Sequence, residues 1–246
     1  MAITIQRFAS SEAVAEAISQ RLIRSACQTE PQFVSLSGGS TPRRMFELLG
    51  TQAKDPAAEH VDWSRVHFFW GDERCVAPDD AQSNFGVADQ LFFSPANVAD
   101  TNVHRVLGEL DPPQSQRQYD AELKQFVPQT SGLPVFDLML LGMGDDGHTA
   151  SIFPDRLDLL TSDQLSEVAI HPTSGQSRIT LTGPVIGAAK EIVFLVTGEN
   201  KASVLASIVD SKPGCETFPT YHICQSAEVT FLVDEAAASQ LSVSAE

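Results

Sequence analysis

Short apolar runs alternate with longer amphipathic stretches along nearly the whole chain. Ile3–Phe8 predicts a first short strand. Ser10 then opens a helical stretch in which Val14, Ile18 and Leu22 recur at four-residue spacing, a single apolar stripe. Phe33–Ser37 is the next apolar run, followed by Gly-Gly-Ser-Thr-Pro and a helical Arg43–Leu49. Val66–Trp70 predicts a strand ending at Gly71, and Asn84–Phe93 and Gln114–Phe126 predict helices. Val135–Leu141 is the strongest buried-strand candidate, with Glu191–Val196 and Val229–Val233 as two more, and Ala236–Ala238 predicts a short helix near the C-terminus.

Short strands separated by helices point to crossover units and a mainly parallel sheet covered on both faces. The expectation is one α/β domain over residues 1–246, without repeats or a low-complexity linker. In such sheets ligands sit beyond the carboxyl ends of the strands. The main polar, glycine-rich clusters of this chain directly follow predicted strands.

Composition narrows the partners. Sixteen Lys and Arg against 32 Asp and Glu leave a formal charge of −16 over 246 residues. No basic cluster offsets phosphate repulsion, so neither nucleic acid nor an anionic membrane surface is expected as a partner. The N-terminus lacks a basic segment leading into an apolar one, and no apolar run approaches the length of a membrane span. The four cysteines are scattered without metal-finger spacing, so reduced thiols in a cytoplasmic protein are expected, although a Cys215–Cys224 disulfide is conceivable.

Three clusters carry most of the chemistry. In Ser37-Gly38-Gly39-Ser40-Thr41-Pro42, Thr41 suits a helix N-cap and Pro42 the first helical position. Exposed N–H groups there make an anion site to which Arg43 or Arg44 can add charge, against the plainer reading of a strand–turn–helix junction. Gly71-Asp72-Glu73-Arg74 puts three charges at the end of an apolar strand. Arg74 suits a carboxylate or phosphate, Asp72 an acid, base or orienter, and a neighbouring charge can pair with a helix end; a solvated loop is the bland alternative.

Gly142–Thr149 (GMGDDGHT) formally contains the dinucleotide fingerprint, but Asp145 and Asp146 would repel a pyrophosphate and Pro154 interrupts the required helix. His148, two residues after Asp146, reads instead as a general base with its orienting carboxylate. A metal site of Asp145, Asp146 and His148 is an alternative without a second histidine at ligand spacing. His60, His67, His104, His171 and His222 read as structural, and Cys75 beside Arg74 as an inert thiol. Two weaker signals are the alternating Arg178-Ile179-Thr180-Leu181-Thr182 and Lys201, a cation near a helix start that a bound anion would stabilise.

Together SGGSTP, WGDER, Ser83-Asn84, GMGDDGHTAS with Phe153-Pro154, RITLT and Lys201 resemble the 6-phosphogluconolactonase family, within the group that includes glucosamine-6-phosphate deaminases. The resemblance implies a Rossmann-like three-layer α/β fold. It also implies hydrolysis of 6-phospho-D-glucono-1,5-lactone in the oxidative pentose phosphate pathway, with no metal or organic cofactor. On that reading the partner is a phosphosugar lactone, and the protein is a monomer or small homo-oligomer. His148 is then the base and Asp146 its orienter, while Asp72 and Arg74 stand beside the sugar ring or carbonyl. Gly38, Gly39, Ser40 and Thr41, with Lys201 and Arg178, are expected to take the phosphate. Deaminases of the group carry a glutamate where this chain has Phe153. A deaminase or isomerase and a non-catalytic sugar-phosphate sensor are the alternatives, and the presence of His148 weighs against the sensor.

Overall fold

The computed structural model describes residues 2–55, 57 and 61–242. In chain order the elements are β1 (Ile3–Phe8), α1 (Ser11–Ala26), β2 (Gln32–Leu36), α2 (Ser40–Lys54), β3 (Val66–Trp70), β4 (Asp72–Arg74), α3 (Asn84–Ala88) and α4 (Pro112–Phe126). There follow β5 (Gln129–Thr130), β6 (Leu133–Pro134), β7 (Leu138–Gly142), β8 (Ser166–Ile170), β9 (Ser177–Leu181), α5 (Gly183–Gly187), β10 (Ile192–Val196), α6 (Ala202–Val209), α7 (Pro219–Ser226) and β11 (Val229–Asp234).

Six strands form one sheet in the order β1-β11-β10-β7-β2-β3, and every pair in it is parallel. Alternating side chains feed two cores, one on each face. Phe69, Met139, Leu141, Phe194 and Phe231 face one layer with α4, α5 and α7; Val34, Phe68, Trp70, Leu140 and Leu232 face the other with α1 and α2. This is the expected three-layer α/β arrangement. Ser10 caps α1 by accepting the Ala13 N–H at 3.2 Å, an interaction that typically contributes about 1 kcal/mol.

The strand order explains why the sequence clusters meet. The chain runs outward from β2 to β3 but returns on the other side of β2 as β7, which opens a crevice at the carboxyl ends of β2 and β7. The segments after β10, β7, β2 and β3 therefore leave four adjacent strands at one edge. β4, β9 and β8 form a separate antiparallel sheet, in register Asp72↔Thr180, Glu73↔Ile179 and Arg74↔Arg178. It joins the WGDER segment to RITLT. Tyr119 secures the approach: its hydroxyl accepts the Trp70 N–H at 2.9 Å and donates to the Trp70 carbonyl at 2.7 Å. Burial pushes this phenol above its ordinary value, so it stays protonated and able to donate.

Several elements differ from expectation. The strand expected at Val135–Leu141 begins at Leu138, because Val135–Asp137 leave the short β5–β6 hairpin before joining the sheet. The helix after β2 begins at Ser40, with Gly39 as its N-cap, so Thr41 is not the cap and Pro42 is not the first residue. Asn84–Phe93 is α-helical only to Ala88 and then widens into a π-turn. Ala236–Ala238 lie in turns, with Ala237 and Ala238 buried against the core. All four cysteines are free thiols, so Cys215 and Cys224 are not bridged. No helix among the described residues is long and apolar enough to cross a membrane.

Candidate active site

A cavity of about 290 Å³ opens at the crevice, enough for one phosphorylated monosaccharide. Ser37–Pro42, Asp72, Arg74, Asn84, Gly142–Asp145, His148, Ala150, Arg178, Leu195–Thr197 and Lys201 line it. Of the residues expected to act in catalysis or take the phosphate, Asp146 alone does not line it.

One end is built from α2. The first N–H groups of a helix have no intrahelical acceptor, and here they face the cavity from Gly39 onward. The two glycines serve different needs. A Cβ at Gly38 would collide with the Asn84 side chain, whereas Gly39 adopts φ 113°, a conformation that favours glycine. Thr41 pairs its hydroxyl with that of Thr197 at 2.9 Å, which joins α2 to the segment after β10. Lys201 stands on the same segment and forms no ion pair among the described residues. Arg43 and Arg44 do not line the cavity: Arg44 is held by Glu12 and Glu47, and Arg43 by Glu47. Ser37, which sequence reasoning left out of the site, lines the cavity with a buried hydroxyl that has no partner among the described residues.

Another part of the wall comes from β4 and β9. Alternation along β4 sends Asp72 and Arg74 into the cavity and Glu73 away from it. Glu73 is buried and accepts the N–H groups of Arg74, Asn84 and Phe85 and the Ser83 hydroxyl, at 2.7–3.1 Å. It thus binds the start of α3. Burial holds its carboxyl above the usual range even with those donors. Asn84, another cavity residue, donates its side-chain N–H to the Asp72 carbonyl at 2.9 Å.

Arg178 reaches the cavity wall from β9, whose pairing with β4 sets it beside Arg74 and Asp72. It lies 3.7 Å from Asp72 and donates to the Ser151 hydroxyl, which itself donates to Asp72 Oδ2 at 2.6 Å. Burial lowers the Arg178 guanidinium from its ordinary value, with Asp72 opposing that shift and the facing Arg74 adding to it. The Nε atoms of both arginines are buried without a partner among the described residues. Two facing guanidinium groups with donors to spare are suited to an anionic oxygen.

His148 lines the same cavity. Asp146 Oδ1 lies 2.5 Å from its Nδ1 and also accepts the His148 N–H at 3.1 Å. Burial pushes the Asp146 carboxyl up, but those His148 hydrogen bonds outweigh it and hold it at about 2. An ionised Asp146 keeps the hydrogen on Nδ1 and leaves Nε2 as the lone-pair nitrogen. The loop braces itself: Gly144 donates to the His148 carbonyl at 2.8 Å, and Thr149 Oγ1 to the Gly142 carbonyl at 2.9 Å. Ala150 adopts φ 47°, a left-handed turn that directs Ser151 back toward Thr180, whose hydroxyl accepts the Ser151 N–H.

Phe153 is fully buried beneath this group, its ring 5.0 Å from that of His148, 5.2 Å from that of His171 and 5.8 Å from the Arg178 guanidinium. His171 is therefore a neighbour of the site, although it reads as structural in the sequence. His67 and His104 form a separate chain with Glu122, His222 contacts the Glu216 carbonyl, and His60 lies outside the described residues. Burial pushes the Cys75 thiol up to about 11, away from the reactive thiolate. Among the described residues no three His, Cys, Asp or Glu side chains are grouped to hold a metal ion.

The profile of the family described as glucosamine-6-phosphate isomerases/6-phosphogluconolactonase matches residues 6–232. The chain belongs to this family. It is 38% identical over 231 residues to the 6-phosphogluconolactonase of Haemophilus influenzae, covering 94% of this chain and 96% of that one. A solved structure named devB protein is 40% identical and superposes with a TM-score of 0.91 over 98% of this chain and all of its own. The 6-phosphogluconolactonase structure from Leishmania guyanensis is 29% identical, with a TM-score of 0.82 over 99% of this chain and all of its own. Family membership and these likenesses agree with the fold and with the motif order from Ser37 to Lys201.

Proposed function

We propose that this protein hydrolyses 6-phospho-D-glucono-1,5-lactone to 6-phospho-D-gluconate, with water activated by His148. The observation that carries the reading is the His148–Asp146 pair, 2.5 Å apart, with His148 on the wall of a cavity that the start of α2 and Lys201 also line. The family membership and the named lactonase relatives support the same reaction.

In this reading the phosphate lies at the N–H groups of Gly38–Thr41 and at Lys201, with the Ser37 hydroxyl as an added partner. His148 Nε2 takes a proton from water as the water oxygen adds to the lactone carbonyl carbon. Arg74 and Arg178 receive the charge that develops on the carbonyl oxygen. Collapse then breaks the bond from that carbon to the ring oxygen. The ring oxygen recovers the proton from the His148 imidazolium, and the acid formed ionises to the product carboxylate. Asp72, with Oδ2 occupied by Ser151, offers Oδ1 to a sugar hydroxyl. These steps call on no metal and no organic cofactor. A deaminase reading has less support, because buried Phe153 cannot exchange a proton.

The same proposal makes the chain a single-domain cytoplasmic enzyme, a monomer or small homo-oligomer, with no nucleic-acid partner; its negative charge supports the last point. The test is a coupled assay on freshly generated lactone, reading 6-phosphogluconate above the spontaneous rate, with a chelator present and with glucosamine 6-phosphate offered separately. Acceleration that survives the chelator, with no ammonia released, is the expected result. No acceleration, or ammonia release, overturns the proposal.

A further inference from the structure

Asp234 is the last residue of β11, next to β10 in the sheet, and it is 7% exposed. Nothing in the reaction above uses it. Its two carboxylate oxygens accept the Gly198 N–H at 3.0 and 3.1 Å, and Oδ1 also accepts the Ala237 N–H at 2.8 Å. Gly198 is where the chain leaves β10 and turns, at φ 94°, into the short 3-10 turn Glu199–Lys201. That turn has no side-chain cap, and the Lys201 N–H closes it on the Gly198 carbonyl at 3.1 Å. The direction in which Lys201 leaves the backbone therefore depends on the backbone angles of Gly198. A charged acceptor on the neighbouring strand holds the N–H side of that residue, the peptide from which the turn starts.

We propose that Asp234 is a positioning residue for phosphate recognition: by gripping the Gly198 N–H it aims Lys201 into the cavity. This rests on the reading of Lys201 as the phosphate-binding lysine. Asp234 touches neither the cavity nor the reacting atoms, so its effect passes through Lys201 and appears in binding of the phosphorylated substrate alone.

The test is a double-mutant cycle on Asp234→Ala and Lys201→Ala, read on 6-phosphogluconolactone and on unphosphorylated gluconolactone. Asp234→Ala is expected to raise KM for the phosphorylated lactone about tenfold with kcat within about twofold, and to leave gluconolactone hydrolysis unchanged. In the Lys201→Ala background the same substitution adds nothing further. Asp234→Asn keeps one carbonyl acceptor and falls between, and it decides the matter if the alanine variant does not fold. Equal losses on both lactones, or losses that multiply in the double variant, overturn the proposal. If Lys201→Ala alone leaves KM unaltered, the phosphate reading itself fails, an outcome recognisable without any Asp234 variant.

Discussion

Asp146→Asn separates the stability of the His148–Asp146 pair from its role in catalysis. The fall of the Asp146 carboxyl from 3.8 to about 2 corresponds to ~2.4 kcal/mol in favour of the ionised, hydrogen-bonded form. The side chain is 42% exposed, so solvent screening reduces its worth to the fold to ~1 kcal/mol. Because the folded value is depressed, that contribution is complete above 3.8 and is lost as pH falls through about 2. At neutral pH the variant should therefore melt only about 2–4 °C lower. The catalytic loss is expected to be larger. An asparagine amide can donate to Nδ1, which moves the ring hydrogen to Nε2 and removes the base; a comparable swap in histidine–carboxylate dyads lowers kcat by about 10⁴, and 10²–10⁴ is expected here. Even the lower figure is ~2.7 kcal/mol, so a stability effect alone cannot account for it. The assay is lactone hydrolysis at short times, corrected for the spontaneous reaction, beside a thermal melt. His148→Gln serves as the floor. A kcat within about threefold of the parent from about pH 6 to about pH 8 would refute the base assignment and move suspicion to Asp72.

Three further outcomes follow from the packing. A Cβ at Gly144 would run into His148 Nδ1 and Asp146 Oδ1, although the backbone there suits alanine; Gly144→Ala should cut kcat at least about tenfold with little change in melting temperature. Lys201→Ala should raise KM for the phosphorylated lactone at least about tenfold and hardly affect gluconolactone, as steady-state kinetics on both substrates will show. Ser151→Ala deprives buried Asp72 of its hydroxyl donor and should cost about 1–3 kcal/mol, a melting shift of about 2–12 °C by calorimetry.

Periodicity made the parallel sheet legible because strands buried on both faces read as apolar runs, and Val66–Trp70 agrees with prediction residue for residue, as does the half-exposed edge strand Ile3–Phe8, which alternates instead. The motif residues were legible for a related reason: a glycine-rich polar segment after an apolar run belongs at the carboxyl edge. What stayed hidden was non-local. Asp72–Arg74 is too short and too charged to read as a strand, and only pairing with Ser177–Leu181 makes it one. Its alternation then decides that Glu73 turns inward to hold α3 while its neighbours face the cavity. The same pairing sets Arg178 beside Asp72, which no local pattern could reveal. Thr41 and Pro42 suited a helix start two residues later than the real one, because Gly39 at φ 113° already turns the chain.

A chain of charge −16 that binds an anion has to confine its positive potential to one place. Ion pairing accounts for part of that arrangement. Arg21, Arg43, Arg44, Arg105, Arg156, Lys190 and Lys212 are each engaged by a nearby glutamate or aspartate. Arg74 and Lys201 have no such partner among the described residues, and both line the cavity; Arg178 shares Asp72 with Ser151. The cavity wall thus carries two arginines and a lysine against Asp72 and Asp145, with the positive end of α2 added. Beyond a Debye length of about 8 Å the surface repels a phosphosugar only weakly at physiological salt, whereas inside the cavity low-dielectric walls preserve the attraction. On the proposed reading, specificity for a phosphorylated substrate comes from the cations and the helix start on the wall of the crevice, more than from the net charge of the protein.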